Sequence, residues 1–127
     1  MRDVSGLLLE EAFARFINSK KALNRAEETI KYYEERFELF NDYLKGYKNI
    51  TATNQVDEDC ITDYILHTRE KSPHMSENTM NNRLRAIRAM LYYFMEKGYT
   101  EPFHISLLSV RQIPKEGYSS EQLQKLI

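Results

Sequence analysis

The chain has 127 residues, 42% hydrophobic and 29% charged, a composition that suits one folded domain and is too apolar for disorder. Its formal net charge of -1 excludes nucleic-acid binding through bulk positive charge, so any such binding depends on a local basic surface. The single Cys60 excludes an internal disulfide and a multi-cysteine zinc site, and no apolar run reaches the roughly 20 residues that span a bilayer.

Apolar residues recur at helical spacing in the first half of the chain, which contains no proline. This spacing predicts a first helix over residues 5–19, with Ser5 as its N-cap and a connector at residues 20–23. A second helix is predicted to begin where Asn24 and Glu27 have capping-box spacing. Its inward stripe contains large side chains at steps of three and four, namely Ile30, Tyr33, Phe37, Phe40, Leu44 and Tyr47.

Two further helices are predicted in the second half. The third covers residues 57–70, with acids in its first turn and an inward stripe of Ile61, Tyr64, Ile65 and Thr68. The fourth begins near Ser76 or Asn78 and ends around Lys97, where Gly98 suits a left-handed C-terminal position. Its buried stripe consists of Met80, Leu84, Ile87, Leu91 and Phe94.

The pattern after the fourth helix predicts a change of domain. Residues 1–100 are predicted to form the helical domain, and residues 101–118, with two prolines, a linker. Ser119 and Gln122 have capping-box spacing, which predicts the start of a new helix at residues 119–127. Because the sequence stops about two turns into that helix, we expect the chain to be a fragment of a longer protein.

The fourth helix presents a candidate binding surface. At 100° per residue, a polar strip lies roughly 80–140° from the centre of the buried stripe. The strip contains Asn81, Arg85, Arg88 and Tyr92. No acid lies between Glu77 and Glu96, so this strip is not neutralised within its own helix. Arginine and asparagine donate to phosphate oxygens and recognise base edges, although the strip taken alone favours a solvated polar face over DNA binding.

A weaker basic cluster surrounds the start of the second helix, where Glu27 and Glu28 dilute the charge. It contains Lys20, Lys21, Asn24, Arg25, Thr29, Lys31 and Arg36. Catalytic patterns are absent: the three histidines lack metal-ligand spacing, and there is no glycine-rich phosphate loop or nucleophile elbow. We therefore expect no cofactor, no metal and no enzymatic activity of this chain alone.

The order of these segments resembles the core-binding domain of tyrosine recombinases, the phage-integrase family. The most specific match is in the fourth helix, where residues 76–88 (SENTMNNRLRAIR) follow the family pattern of Ser, Thr, an apolar residue, Asn, basic residues and Leu-x-x-Ile-Arg. Residues 11–17, residues 29–33 and the exit at residues 98–99 also match. Residues 114–123 resemble the linker and first catalytic helix. Glu101 stands near where members often have Asn-Pro.

The resemblance implies an all-α, four-helix orthogonal bundle of the SAM-like type, which forms half of a clamp around double-stranded DNA. It implies DNA contacts at Asn81, Arg85 and Arg88 in or beside the major groove, with lesser phosphate contacts at Thr29, Lys31, Thr79 and Arg83, and contacts from the linker at Arg111 and Lys115. The family's catalytic His-x-x-Arg does not occur here, so strand cleavage and exchange belong to a domain absent from the chain.

The expected setting is cytoplasmic, since no signal peptide or membrane span occurs in the sequence. We expect the isolated chain to be monomeric and the full-length protein to be tetrameric on DNA. The main alternative is a helical protein–protein interaction or regulatory module that does not bind DNA. A helix-turn-helix repressor is disfavoured, because a proline-containing break rather than a tight turn precedes the fourth helix.

Overall fold

The computed structural model describes residues 4–109 and confirms the predicted all-α fold with four helices. The helices are α1 (Leu9–Ala22), α2 (Glu27–Lys48), α3 (Glu58–Lys71) and α4 (Glu77–Glu96), with a 3-10 turn at Thr53–Gln55. Within the described residues, strand-type pairing is limited to one isolated bridge between Leu8 and Ala52. None of these four helices combines the length and apolarity that a membrane span requires.

Helix α4 is the central element of the core. It packs against α1 and α2, and α2 also packs against α3. Its buried side chains extend well beyond one stripe and are Met80, Asn81, Leu84, Ala86, Ile87, Met90, Leu91, Phe94 and Met95. Aromatic rings join the neighbouring helices: Phe13 stacks on Phe37 at 4.0 Å between centroids, and Phe16 meets Tyr93 edge to face at 5.6 Å. Because the core surrounds α4 so widely, only a narrow strip of this helix remains exposed.

The predicted ends of α3 and α4 are confirmed. Asp57 accepts a hydrogen bond from the Cys60 amide at 3.0 Å, and Ser76 accepts one from the Thr79 amide at 3.1 Å, so both helices have N-cap side chains. Gly98 has a φ of 80°, the left-handed conformation predicted for the residue after the last turn.

The predicted starts of α1 and α2 were wrong. Ser5 is not an N-cap, because its amide donates to the Gly98 carbonyl at 2.9 Å and the helix begins only at Leu9. Asn24 does not cap α2 either: it occupies a left-handed turn with φ 59°, and the N-cap is Ala26, which makes no side-chain hydrogen bond. The residues predicted as a connector continue α1 instead, as far as Ala22.

Two predicted orientations on α2 were also wrong. Tyr47 is 61% exposed rather than inward, because it lies at the helix end and packs its ring on the surface against Tyr43 and His67. Asn41 lies outside the predicted inward stripe of α2, which implies an outward side chain, yet it is buried and donates to Glu10 of α1 at 3.1 Å.

The segment after α4 packs against the helical core. Ile105 is fully buried, and Phe103, Leu107 and Leu108 pack around it against the same cluster. Residues after position 100 therefore still pack against the core, although a linker is predicted to start at residue 101. The rest of that linker and the predicted helix start at residues 119–127 lie outside the described residues.

A polar contact joins α1 to α2. The carboxylate of Glu10 accepts from the Asn41 amide and pairs with the ammonium group of Lys45. The hydrogen bond from Lys45 and then that from Asn41 lower the pKa of Glu10 below its usual value of 4.5. The ionised form of Glu10 is therefore favoured in the folded state.

We expect Glu10→Gln to make the domain less sensitive to acid. A carboxyl group with a depressed folded-state pKa stabilises the fold above its unfolded pKa, near 4.5, and loses this contribution as the pH falls through the folded-state value. Because Glu10 and Lys45 are both about half exposed, the contribution is below about 1 kcal/mol. Urea unfolding from pH 7 to pH 3 should show the parent's advantage over the variant shrinking; an advantage independent of pH would contradict this.

Candidate nucleic-acid interface

The exposed strip of α4 contains two unpaired arginines. Arg85 is exposed and Arg88 is partly exposed, and neither forms an ion pair or a hydrogen bond with any residue between 4 and 109. The two are neighbours on the helix surface, since they are three residues apart. Their positive charges are therefore available to a ligand without the loss of an existing partner.

Helix α2 contributes a third arginine beside this strip. The Tyr32 hydroxyl donates to the Asn82 carbonyl at 2.6 Å, which joins the start of α2 to α4. Arg36 lies over the Tyr32 ring, 4.3 Å from its centroid, and its Nε donates to Oδ1 of Asn82 at 3.0 Å. Arg36 is thus fixed by an aromatic ring and an amide at the junction of the two helices.

Arg36 lies close to Arg85, because its partner Asn82 is three residues before Arg85 on α4. Burial raises the pKa of the Tyr32 hydroxyl, and the positive charges of Arg36 and Arg85 oppose that rise. Both guanidinium groups therefore lie within electrostatic reach of the same hydroxyl. We call Arg36, Arg85 and Arg88 the arginine face. The sequence placed Arg36 only in the weaker basic cluster of α2, because its position relative to α4 depends on how the helices pack.

Asn81 does not lie on the arginine face, and the prediction that it faces solvent was wrong. It is only 2% exposed. Its Nδ2 donates to the Leu108 carbonyl at 2.9 Å, and its Oδ1 accepts from the Leu108 amide at 2.7 Å. The segment after α4 therefore covers this flank of the helix. About three turns further along the helix, the Tyr92 hydroxyl accepts from the Ile105 amide at 3.1 Å and fixes the same segment.

The lesser candidates are divided between different surfaces. Arg83 lies about 160° around α4 from Arg85 and lines a separate cleft of about 240 Å³ with Tyr43, Tyr64 and Lys71. Thr79 is exposed, but its amide already donates to Ser76.

The remaining candidates are on α2 or beyond the described chain. Thr29 is partly exposed near the start of α2, a turn before Tyr32 and Arg36. Lys31 is exposed and lines an open groove with Lys21 and Arg25. Arg111 and Lys115 lie outside the described residues. The structure thus brings Arg85 and Arg88 together, adds Arg36 and Asn82, and separates Arg83 from them.

Comparison with known proteins assigns the chain to a family. The family model of the phage integrase SAM-like domain matches residues 9–106, a range that includes all four helices. No curated protein and no solved structure matches the chain.

We expect Asn81→Ala to destabilise the domain by about 1–3 kcal/mol, because the amide and carbonyl of Leu108 both lose their partner. Asn78→Ala is the matched control, since Asn78 is exposed on the same helix and its loss should change stability by less than about 0.5 kcal/mol. Urea unfolding measures both, and amide exchange at Leu108 should accelerate only in the first variant. Equal stability of the two variants would contradict the structural role of Asn81.

Proposed function

Because the chain belongs to the phage integrase SAM-like domain family, we propose that it binds double-stranded DNA for a tyrosine recombinase through the arginine face. This proposal rests on one observation about α4: Arg85 and Arg88 form no ion pair with an acid among the described residues. Arg36 extends the same surface onto α2.

The charges close to Arg85 and Arg88, rather than the net charge of the chain, determine how strongly this surface attracts DNA. A guanidinium group that is already bound to a carboxylate must lose that partner before it can bind a phosphate. Arg85 and Arg88 face no such exchange, and arginine can donate two parallel hydrogen bonds to a phosphate. Because salt screens charges over about 8–10 Å, neighbouring cations on one surface matter more to DNA than distant acids.

We assign different contacts to the two helices. Arg85 and Arg88 lie beside the major groove, and Thr29 and Lys31 of α2, with Thr79 of α4, contact flanking phosphates. Arg83 lines a cleft on another flank of α4, so it contacts DNA only if the duplex extends around the helix. The side chain of Asn81 is bound to the backbone of Leu108, so we do not assign it a DNA contact. Arg111 and Lys115 stay predictions from the sequence.

We further propose that the domain works as half of a clamp, and that strand cleavage and exchange are carried out by a catalytic domain elsewhere in the full-length protein. The sequence supports this division, since no histidine is followed by arginine at the third position, as the family's catalytic pattern requires. Assembly as a tetramer on DNA is part of the same proposal, with the isolated chain monomeric.

A helical protein–protein interaction module is the second candidate. The observation that favours it is the cleft on the Arg83 flank of α4, which is lined by Tyr43, Tyr47 and His67 and has the exposed Leu39 at its rim. Exposed apolar side chains around a cleft are typical of protein-binding surfaces. A titration of the chain with duplex DNA at low salt separates the two candidates, because a module of this kind shows no saturable binding.

We expect Arg85→Ala with Arg88→Ala to weaken duplex binding at least tenfold while the helix content stays unchanged. If both residues contact phosphates, the slope of log affinity against log salt should also fall by about two, since each contact releases roughly 0.9 counterion. Electrophoretic shift and fluorescence anisotropy at several salt concentrations measure both effects.

The control is Arg69→Ala with Lys71→Ala, which removes the same charge from the last turn of α3. This variant should keep the parent's salt slope and bind within about threefold of it, as expected for charges remote from the contact. Equal losses in the two double variants would contradict the assignment of the arginine face.

A further inference from the structure

Asn82 lies at the junction of α2 and α4 with its side chain oriented by Arg36. On the basis of the DNA binding proposed above, we propose that Asn82 and Arg36 form a binding site for one phosphate oxygen of the duplex, in which the protein supplies only hydrogen-bond donors.

The orientation of the Asn82 amide follows from its partner. The Nε of Arg36 can only donate, so the atom 3.0 Å from it on Asn82 must be the acceptor Oδ1. The amide nitrogen then lies on the other branch of the side chain. It has no hydrogen-bond partner among the described residues, and it is not among the buried polar atoms without a partner. The amide nitrogen therefore retains some solvent exposure, and its N–H groups are free to donate.

The site is fixed before a ligand arrives. The Tyr32 hydroxyl binds the Asn82 carbonyl at 2.6 Å, and the Tyr32 ring supports the Arg36 guanidinium at 4.3 Å. The Arg36 side chain is thus restrained by two contacts, and the Asn82 side chain by Arg36, while Tyr32 fixes the backbone of Asn82. Such restraint lowers the ordering cost of binding, because fewer side-chain conformations are lost.

The hydrogen-bonding groups that remain free on Asn82 indicate the chemical class of its ligand. An asparagine that recognises adenine uses its oxygen and its nitrogen together, but here Arg36 already occupies one lone pair of the oxygen. The free groups of Asn82 are its N–H donors, which favour a ligand that offers acceptors. The charges of Arg36 and Arg85 beside it favour an anionic acceptor, which in duplex DNA is a phosphate oxygen rather than a base edge.

One acid competes for this site. Oε1 of Glu35 lies 3.4 Å from Nη1 of Arg36, and its side chain is 59% exposed. A pair this exposed is weak, so a phosphate can displace it, although the carboxylate still repels the incoming anion. Removing this carboxylate should strengthen binding.

The main test is Asn82→Asp. Aspartate keeps an acceptor for Arg36 but removes both N–H donors and places an anionic oxygen next to the position of the phosphate oxygen. We expect duplex affinity to fall at least tenfold. The matched control is Asn18→Asp, which introduces the same charge at an exposed position of α1 and should bind within about twofold of the parent. Both are measured by anisotropy on two duplexes of different sequence, alongside circular dichroism.

A second pair of variants tests the site without altering Asn82. Glu35→Gln should raise duplex affinity about threefold, whereas Glu38→Gln, the same charge change at an exposed position one turn later on α2, should raise it less. Equal effects of these two substitutions would overturn the proposed site.

The outcomes also distinguish this site from DNA binding itself. If the parent binds duplex but Asn82→Asp behaves like Asn18→Asp, the site is wrong and the proposed function stands. If the loss differs between the two duplex sequences, Asn82 contacts a base and the phosphate assignment is wrong. If the parent shows no saturable duplex binding at low salt, both the proposed function and this site fail.

Discussion

The burial of α4 constrains the rest of the molecule. Helices α1 and α2 and the following segment pack against it, and nine of its residues are buried. A long helix surrounded in this way can present only a narrow outward strip. Arg85 and Arg88 lie on that strip, and the rigid packing behind them fixes where their side chains begin. The candidate interface is therefore built on a packed helix rather than on a loop.

The distribution of ion pairs explains how a nearly neutral domain can present a basic surface. Paired charges within the described residues lie largely on α1, α2 and α3, and are Arg15–Glu11, Lys45–Glu10, Lys48–Asp63 and Arg36–Glu35. In the first three pairs, a basic side chain of α1 or α2 is neutralised by an acid of α1 or α3. Only the last pair involves a residue of the arginine face. Helix α4 contains no acid between its first and last residues. Segregation of the acids, rather than an excess of bases, leaves Arg85 and Arg88 open.

Features that depend on nearby sequence were predictable, whereas those that depend on distant packing were not. The ends of α4 follow from Ser76 and Gly98, which act within a turn of their own position. Asn81 was misplaced because the segment that covers it lies 27 residues later in the chain. Arg36 was undervalued for the same reason: its partner Asn82 is 46 residues away. Helical periodicity locates a polar strip, but it does not show which part of that strip another segment will cover.

The attachment of the segment after α4 has a mechanical consequence. Without side-chain anchors, the chain beyond Gly98 would swing about the helix end. Tyr92 and Asn81 instead hold Ile105 and Leu108 along the flank of α4. The anchored segment thereby ends beside the first turns of α4 rather than at the end of the helix. A force applied at Leu108 would act through Asn81 on the helix that bears Arg85, as well as on the core around Ile105.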